Sequence, residues 1–503
     1  MLSETLENPS IPTTIVAMRG KPFTIQDFEQ LYKSRSVYRH DRMRAKLDPT
    51  KSYFIVDDMT TAPVTELDIK QRLFPMVYRN DIKDWIQDDA TQPMDLHSKL
   101  WEVQIATGGP IGRSGMVSQA RVQHEQQQQQ QQIPYKDDTD VESLLCFRAH
   151  HCMADGVSLG MILADFTDEA DELQRRIRAA VHHYQRQRRS WWKKLQRFLA
   201  YWGLGAIRAI LYQGYLYFTT WTSPNPWKIL KRLYGSADHD DILEEYGGDG
   251  GTRPKPKRTI SWCEIATVEQ VKHVANALST KHHKVTVNDV FASCLTAALV
   301  KLLEFHRETN ITPTNIPKLK HLNLVIPVHL QGGILLPGQE LGNKIGALAC
   351  RVPGEDVVHD CQDRLRQVSA NLTACKNTPA AFLSYFAAQI FGRIGRLGGI
   401  TPWLFSNAHA NASAVLTNVR GPDQHVHIQG RRVETTLGFI PLPPGIPVGM
   451  VVRSYAGTIT LSIVAEPWAV PDADRFLSWV VEEYQALVQA TGLETAVDRY
   501  EPR

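Results

Sequence analysis

Residues 143 to 156 read Ser143-Leu144-Leu145-Cys146-Phe147-Arg148-Ala149-His150-His151-Cys152-Met153-Ala154-Asp155-Gly156. The first eight form an apolar run of strand length, and from Gly156 onward Val157, Met161, Ala164 and Phe166 follow a helical pattern among polar positions. A strand therefore hands over to a helix through a turn that carries two histidines and an Asp-Gly pair. Successive strand residues face opposite sides, so only one of His150 and His151 can enter a given cavity, and the other must pack or hydrogen-bond behind it. His151 is the candidate base. Paired histidines followed by Asp-Gly suit removal of a proton from an acyl acceptor, which points to acyl transfer. Asp155 can cap the helix it precedes, or pair with a buried arginine and so fix the loop. Gly156 lets the backbone turn with no side chain in the way. The competing readings are two satisfied core histidines or a metal pair. Adjacent histidines cannot readily chelate one ion from a strand, and no other His/Cys cluster has ligand spacing, so no metal is expected.

Strand and helix patterns alternate on both sides of this stretch. Leu100 to Ala106 reads as a strand, separated from Ser143 to His150 by a glutamine tract, Gln126 to Gln132, of the kind that forms a disordered insertion. Arg258 to Cys263 is a strand candidate. Thr267 to Gln270 then offers a capping box before Val271, Val274, Ala275 and Leu278 repeat at helical spacing. Val290, Phe291, Cys294, Leu295 and Ala298 form a second apolar helix face, with Asn288 placed to cap it. Leu322 to Val328 and Val415 to Val419 read as buried strands, and Gly449 to Tyr455 with Thr458 to Val464 as an antiparallel pair turning at Ala456-Gly457. The class is α/β.

With 503 residues, 43% of them hydrophobic, the chain exceeds one ordinary domain, and two are expected. Seven cysteines without CxxC spacing do not make a disulfide framework and suit a reducing compartment. Met1 to Ser10 is polar and lacks the apolar centre of a secretory signal, which places the expected body of the protein in the cytosol. Tyr246 to Lys257, rich in Gly, Pro and Lys, reads as a linker. The expected division is therefore an N-terminal domain over 1–172, a connecting segment over 173–250 and a C-terminal domain over 251–503.

The connecting segment has a chemistry of its own. From Leu173 to Ala237 there is no Asp or Glu, while thirteen Lys and Arg and five of the eleven tryptophans fall there. Trp191, Trp192, Trp202, Trp221 and Trp227, interleaved with Tyr201, Tyr212, Tyr215 and Tyr217, suit a lipid headgroup layer, and the cations suit anionic lipid. Phe198 to Trp221 approaches the length of a bilayer span, yet Arg208 and Gln213 fall near its middle, which favours an interfacial helix or hairpin over a span. Nucleic acid is not the expected partner: the aromatics lie among Leu, Ile and Ala and make a greasy face, not a stacking platform in a polar groove.

Together these residues resemble the wax ester synthase/diacylglycerol acyltransferase family, whose fold is of the chloramphenicol-acetyltransferase type. Pro93-Met94-Asp95 with Leu100-Trp101-Glu102 is similar to the segment before that family's catalytic strand, and His150 to Gly156 to its HHxxxDG motif. Asn288-Asp289-Val290 is similar to its Asn-Asp motif, and Gly342-Asn343 and Asn418-Val419-Arg420-Gly421-Pro422 to its C-terminal signatures. The resemblance runs from about Tyr53 to the C-terminus. Lys99 and Arg420 stand where the family usually has proline, and the DFGWG signature of plant-type alcohol acyltransferases is absent.

The resemblance implies two chloramphenicol-acetyltransferase-like domains forming a pseudo-dimer with a central tunnel, and His151 at its centre as general base. His150, Asp155 and Gly156 complete the catalytic motif, while Asn288, Asp289 and Asn418 bind substrate or support loops. It implies acyl-CoA as co-substrate with no further cofactor, and a long-chain alcohol or diacylglycerol as acceptor, giving wax esters or triacylglycerol. A location on the cytosolic side of a membrane, at the endoplasmic reticulum or a lipid droplet, follows from the greasy substrates. The alternatives are a condensation-type or polyketide-associated transferase that takes its acyl group from a carrier, and a non-catalytic lipid-binding relative.

Overall fold

A computed structural model of the chain describes residues 10–36, 40–48, 54–56, 69–73, 79–90, 94, 100–112, 140–186, 198–222, 225–234, 258–281, 283–308, 316–330, 342–355, 360–394 and 411–492. The glutamine tract and the 246–257 linker lie outside these residues. The first half supplies β1 (Thr13–Arg19), α1 (Ile25–Leu31), the short pair β2 (Ala45–Leu47) and β3 (Phe54–Val56), β4 (Ile69–Leu73), α2 (Arg79–Ala90), β5 (Trp101–Gly112) and β6 (Asp140–Ala149). Then come α3 (Gly156–Asp165), α4 (Ala170–Arg186), α5 (Gly205–Thr222) and α6 (Pro226–Tyr234). The second half supplies β7 (Thr259–Thr267), α7 (Val268–Ala277), α8 (Val287–Glu308), β8 (His321–His329), β9 (Ile345–Pro353), α9 (Cys361–Lys376) and α10 (Ala380–Ile394). It closes with β10 (Ala414–Arg420), β11 (His427–Ile428), β12 (Arg431–Phe439), β13 (Val448–Tyr455), β14 (Thr458–Ala465) and α11 (Ala473–Ala490).

Two six-stranded mixed sheets organise these elements, one in the order β11-β12-β1-β6-β5-β4 and the other β7-β14-β13-β10-β8-β9. The fold is α/β, as the alternating patterns imply, and two-lobed, as the chain's length and the family resemblance imply. β6 runs between β1 and β5, and its residues from Ser143 to Ala149 are all buried, which is why this strand reads as a continuous apolar run. Arg148 sits within it opposite Glu102 of β5 and forms an ion pair with that carboxylate. The first lobe's core is aromatic: Phe28, Tyr32, Trp101, Phe147 and Phe166 pack together, with the Tyr32 and Trp101 rings 4.9 Å apart. The second lobe's core is built on α8, whose Val290, Phe291, Leu295 and Leu299 are fully buried. Helix starts follow the expected capping chemistry: Thr24 with Asp27 opens α1, and Thr267 with Gln270 opens α7, each as a reciprocal capping box. Ala456 and Gly457, both at positive φ (47° and 82°), turn β13 into β14.

The packing departs from a simple division of the chain at residue 250. After β10 the chain leaves the second sheet and lays β12 against β1, in register from Thr13↔Phe439 to Arg19↔Arg432, before returning at β13. The hairpin turns at Gln429 and Gly430, both at positive φ, where the Asp168 carboxylate accepts hydrogen bonds from Gln429 N (3.0 Å) and Gly430 N (2.7 Å). The first sheet therefore contains two strands from the 251–503 half. Phe439 of β12 meets the fully buried Trp262 of β7 edge-on at 6.1 Å, and Ile15, Trp85, Leu144 and Val464 join them in a core that belongs to both lobes. Nothing in the local pattern of Arg431 to Phe439 specifies which sheet it enters; the partner strand decides.

The segment expected to touch lipid is helical where it is described. A π-helical turn (Ala200–Leu204) leads into α5. Among the described residues no helix is long and apolar enough to cross a membrane.

β9, the outer strand of the second sheet, is the support for α10, and one glycine sets how closely they approach. A Cβ built on Gly346 would stand 1.9 Å from the Ala381 carbonyl oxygen, a backbone atom that cannot move alone. Gly346→Ala should therefore lower stability by about 1–3 kcal/mol through forced separation of strand and helix, seen as a lower denaturation midpoint in urea. An unchanged midpoint would show that the helix shifts freely.

Candidate active site

His151 follows the C-terminal end of β6, in the turn that leads to α3. Its backbone N–H donates to Ser10 O at 2.8 Å, and its side chain is half-buried. Burial holds the imidazole below its ordinary pKa; a hydrogen bond to its own backbone carbonyl and the nearby Asp155 carboxylate oppose this less strongly. The neutral ring is therefore the resting form near neutrality. Asn343 approaches from the second lobe, with Nδ2 3.1 Å from His151 Nδ1 and 3.4 Å from His151 O. Only Nδ1 can reach the residue's own carbonyl. Asn343 Nδ2 can donate to Nδ1 only when the ring proton sits on Nε2, and to His151 O in either tautomer; a base at Nε2 requires the tautomer with Nδ1 protonated.

His150 points the other way. It is fully buried, with its backbone N–H donating to Leu100 O at 2.7 Å, and its Nδ1 accepts from Cys152 N at 3.2 Å and lies 2.8 Å from Cys152 Sγ. The turn thus separates the pair as strand geometry implies, and His150 secures the turn from behind.

Asp155 caps α3, its Oδ1 accepting from Ser158 N at 2.8 Å. It is completely buried, and its second oxygen leaves the lobe: Oδ2 accepts from Lys344 N at 2.9 Å, with His329 Nε2 3.5 Å away. Burial lowers the pKa of His329, with Asp155 pulling against it. The backbone repeats the cross-link, since Asp155 N and Ser158 Oγ both donate to Gly342 O, at 2.9 and 3.0 Å. Of the two readings open for Asp155, the structure shows the cap; its second oxygen meets, among the described residues, a backbone amide and an imidazole, not the arginine of the alternative. Gly156 also differs from expectation. It is the first residue of α3, is not among the described positive-φ glycines, and a Cβ there would meet nothing within 4 Å. The turn does not need glycine at 156, and the space beside it is open.

Asn288 and Asp289 occupy the first turn of α8, and they part company. The helix begins at Val287, so Asn288 is not its cap; its Oδ1 accepts from Asn418 Nδ2 on β10. Asp289 performs the capping, accepting from Thr286 N at 2.9 Å, and its buried carboxylate also takes Ser369 Oγ at 3.0 Å and pairs with Lys376 at 3.1 Å. Asp289 therefore fixes α8 to α9, a supporting role. The structure joins Asn288 to Asn418 and His151 to Asn343 as two separate pairs. Asp95 and Pro93 lie outside the described residues. Gly342-Asn343 was visible in the sequence as a C-terminal signature but carried no assigned role, and His329, at the end of an apolar strand, carried no signal.

The chain is similar to known proteins over much of its length. Residues 341–488 match the family model described as the WS/DGAT C-terminal domain, a stretch that begins one residue before Gly342. A putative diacylglycerol O-acyltransferase of Mycobacterium tuberculosis is 27% identical over 224 residues, 43% of this chain and 40% of that protein. The chain thus spans about 40% of the length of the first curated relatives it matches. Wax ester synthase/diacylglycerol acyltransferase 11 of Arabidopsis thaliana is 22% identical over 442 residues, covering 82% of this chain and 77% of that one. The solved structure of the wax ester synthase/diacylglycerol acyltransferase from Marinobacter aquaeolei VT8 superposes with a TM-score of 0.53 at 14% identity, over 98% and 97% of the two chains. That likeness is one of fold.

Two expectations follow from the site. Asp155→Asn keeps an oxygen for Ser158 N but turns an amide N–H toward Lys344 N, while Asp155→Ala loses both bonds; each should destabilise the fold by about 1–3 kcal/mol per orphaned donor, with alanine the worse in melting temperature. Asparagine with wild-type melting but activity as low as a His151 deletion would instead place the carboxylate in the chemistry. For His151, whose pKa is held below 6.5, the acid limb of kcat/KM should have its midpoint below that value. Activity is then complete above it and lost as the imidazole protonates. Asn343→Asp should move that midpoint upward by favouring the imidazolium, whereas Asn343→Ala should lower kcat and leave it nearly in place.

Proposed function

We propose that this protein, whose residues 341–488 match the WS/DGAT C-terminal domain, is an acyl-CoA-dependent O-acyltransferase that esterifies a long-chain alcohol or diacylglycerol. The observation that supports the reading best is His151 itself, half-buried, kept neutral by its surroundings and met by Asn343 across the junction of the lobes. A neutral imidazole with a free Nε2 is the form a general base needs at neutral pH, where a hydroxyl acceptor is scarcely ionised.

In the proposed reaction His151 Nε2 takes the proton of the acceptor hydroxyl as its oxygen attacks the thioester carbonyl. The tetrahedral adduct collapses with cleavage of the carbon–sulfur bond, and the imidazolium returns its proton to the departing CoA thiolate. The products are an ester and free CoA, and no acyl-enzyme intervenes. Asp155 and Asn343 act on position: the first holds the turn against the second lobe, and the second orients the ring. The substrates would meet in a tunnel between the lobes. The chain would work at a cytosol-facing lipid surface, of the endoplasmic reticulum or a lipid droplet, because both substrates are greasy and the 173–237 segment is cationic and aromatic.

His151→Ala should lower turnover by about two to four orders of magnitude, with folding retained; His150→Ala should cost more stability and less chemistry. The measurement is ester formation from labelled acyl-CoA with hexadecanol, diacylglycerol and, in parallel, a carrier-bound acyl donor. A folded His151→Ala enzyme that keeps near wild-type synthesis would sink the assignment. Transfer from the carrier alone would favour the condensation-type reading.

A further inference from the structure

The reaction leaves unused the outer surface built on β9. The acid-free run from Leu173 to Ala237 has a counterpart: Arg364 to Pro422, 59 residues, also contains no Asp or Glu, where the chain's average of 53 in 503 would place about six. These are the two longest such runs in the sequence. The fold brings them together. Trp202, in the turn before α5, packs its ring 5.6 Å from that of Phe382 on α10, and both helices rest on β9.

The way they rest on it is unusual. α5 grips the strand with polar groups: Tyr212 Oη accepts from Arg351 N at 2.8 Å, Gln213 Nε2 donates to Ala349 O at 3.4 Å, and Tyr215 Oη accepts from Arg351 Nη1 at 2.8 Å. α10 does the same through Ser384 Oγ, which accepts from Ala347 N at 2.8 Å. A helix at a water-facing surface buries its apolar stripe and exposes its polar one; here aliphatic and aromatic side chains point outward. Leu204, Leu211 and Phe218 are 72%, 68% and 64% exposed, and Phe386 and Ile390 of α10 53% and 54%. Of the thirteen exposed large hydrophobic side chains among the described residues, eleven lie in these two acid-free runs. An apolar patch of this kind marks an interaction surface.

Charge selects the occupant. Arg186, Arg188, Arg189, Lys193 and Lys194 precede α5 in sequence, and Arg393 and Arg396 end α10 or follow it. A second copy of the chain would bring cations against cations, whereas an anionic leaflet offers hydrocarbon and the opposite charge together. We propose that α5 and α10 form one bipartite surface that seats on an anionic phospholipid leaflet. This rests on the lipid-surface reading above and adds to it α10, the lipid charge and an orientation. β9 runs from these helices to Lys344, whose amide holds Asp155. Along this single strand the catalytic turn therefore stands about 10 Å from the α10 contact at Ala347 and about 20 Å from the α5 contacts at Ala349 and Arg351.

Flotation of the full chain with phosphatidylcholine vesicles, with and without phosphatidylserine, tests this. Wild type and His151→Ala should both float, more strongly with phosphatidylserine. The paired changes Phe386→Ser with Ile390→Ser, and Ile207→Ser with Leu211→Ser, should each cut partitioning about tenfold or more, at unchanged solution mass. The α10 pair should still esterify short-chain soluble substrates, so a failed enzymatic reading leaves this result standing, and the converse. If a serine pair does not fold, quenching by brominated lipid decides on a folded protein: Trp202→Phe should remove part of the quenching seen in wild type. The proposal is overturned by an α10 pair that floats like wild type, by indifference to phosphatidylserine, by a Trp202→Phe protein quenched as fully as wild type, or by a wild-type dimer that the same substitutions convert to monomer.

Discussion

A completely buried carboxylate, Asp155, holds this molecule's two halves in working register. One oxygen caps the helix that follows the histidine turn, and the other accepts the amide of Lys344 from the second lobe. A buried anion is stable only where donors satisfy it, so both halves must meet for the charge to be tolerated. The same contact delivers Asn343 to His151, one residue before Lys344. The requirement that stabilises the junction and the one that builds the candidate site are thus met by a single side chain.

The exchanged strand works in the same direction over a larger area. By adding β12 to the first sheet, the second half of the chain contributes ladder hydrogen bonds and Phe439 to a core it shares with Trp262 and Leu144. The first sheet is incomplete without these strands from the second half. Interfaces between domains of one chain usually allow relative motion; a backbone ladder that crosses the boundary removes that freedom and keeps the His151 and Asn343 separation short.

β9 connects this centre to the periphery. As an edge strand it has polar backbone groups to cover, and they are covered by side chains of α5 and α10, which leaves those helices with their apolar faces outward. Protection of a sheet edge and presentation of a greasy surface are two outcomes of one packing choice. The close approach at Gly346 shows how tightly that choice is drawn.

Much of this was legible in the chain. The α/β class, the strand and helix around His151, the cap at Asp155, the capping box at Thr267 and the Ala456-Gly457 turn rest on local periodicity and short-range hydrogen bonding, which a sequence carries residue by residue. The opposite fates of His150 and His151 follow from the alternation of a strand. The partners that meet across the lobes had no such signature. Asn343 and His329 lie 192 and 174 residues from His151 and Asp155, β12 has the same alternating pattern whichever sheet it joins, and Asn288 lost its expected capping role because Val287, not Asn288, follows the cap. An outward apolar face is likewise invisible until the neighbours are known, since periodicity tells that a helix has two faces and only packing determines which one meets the protein.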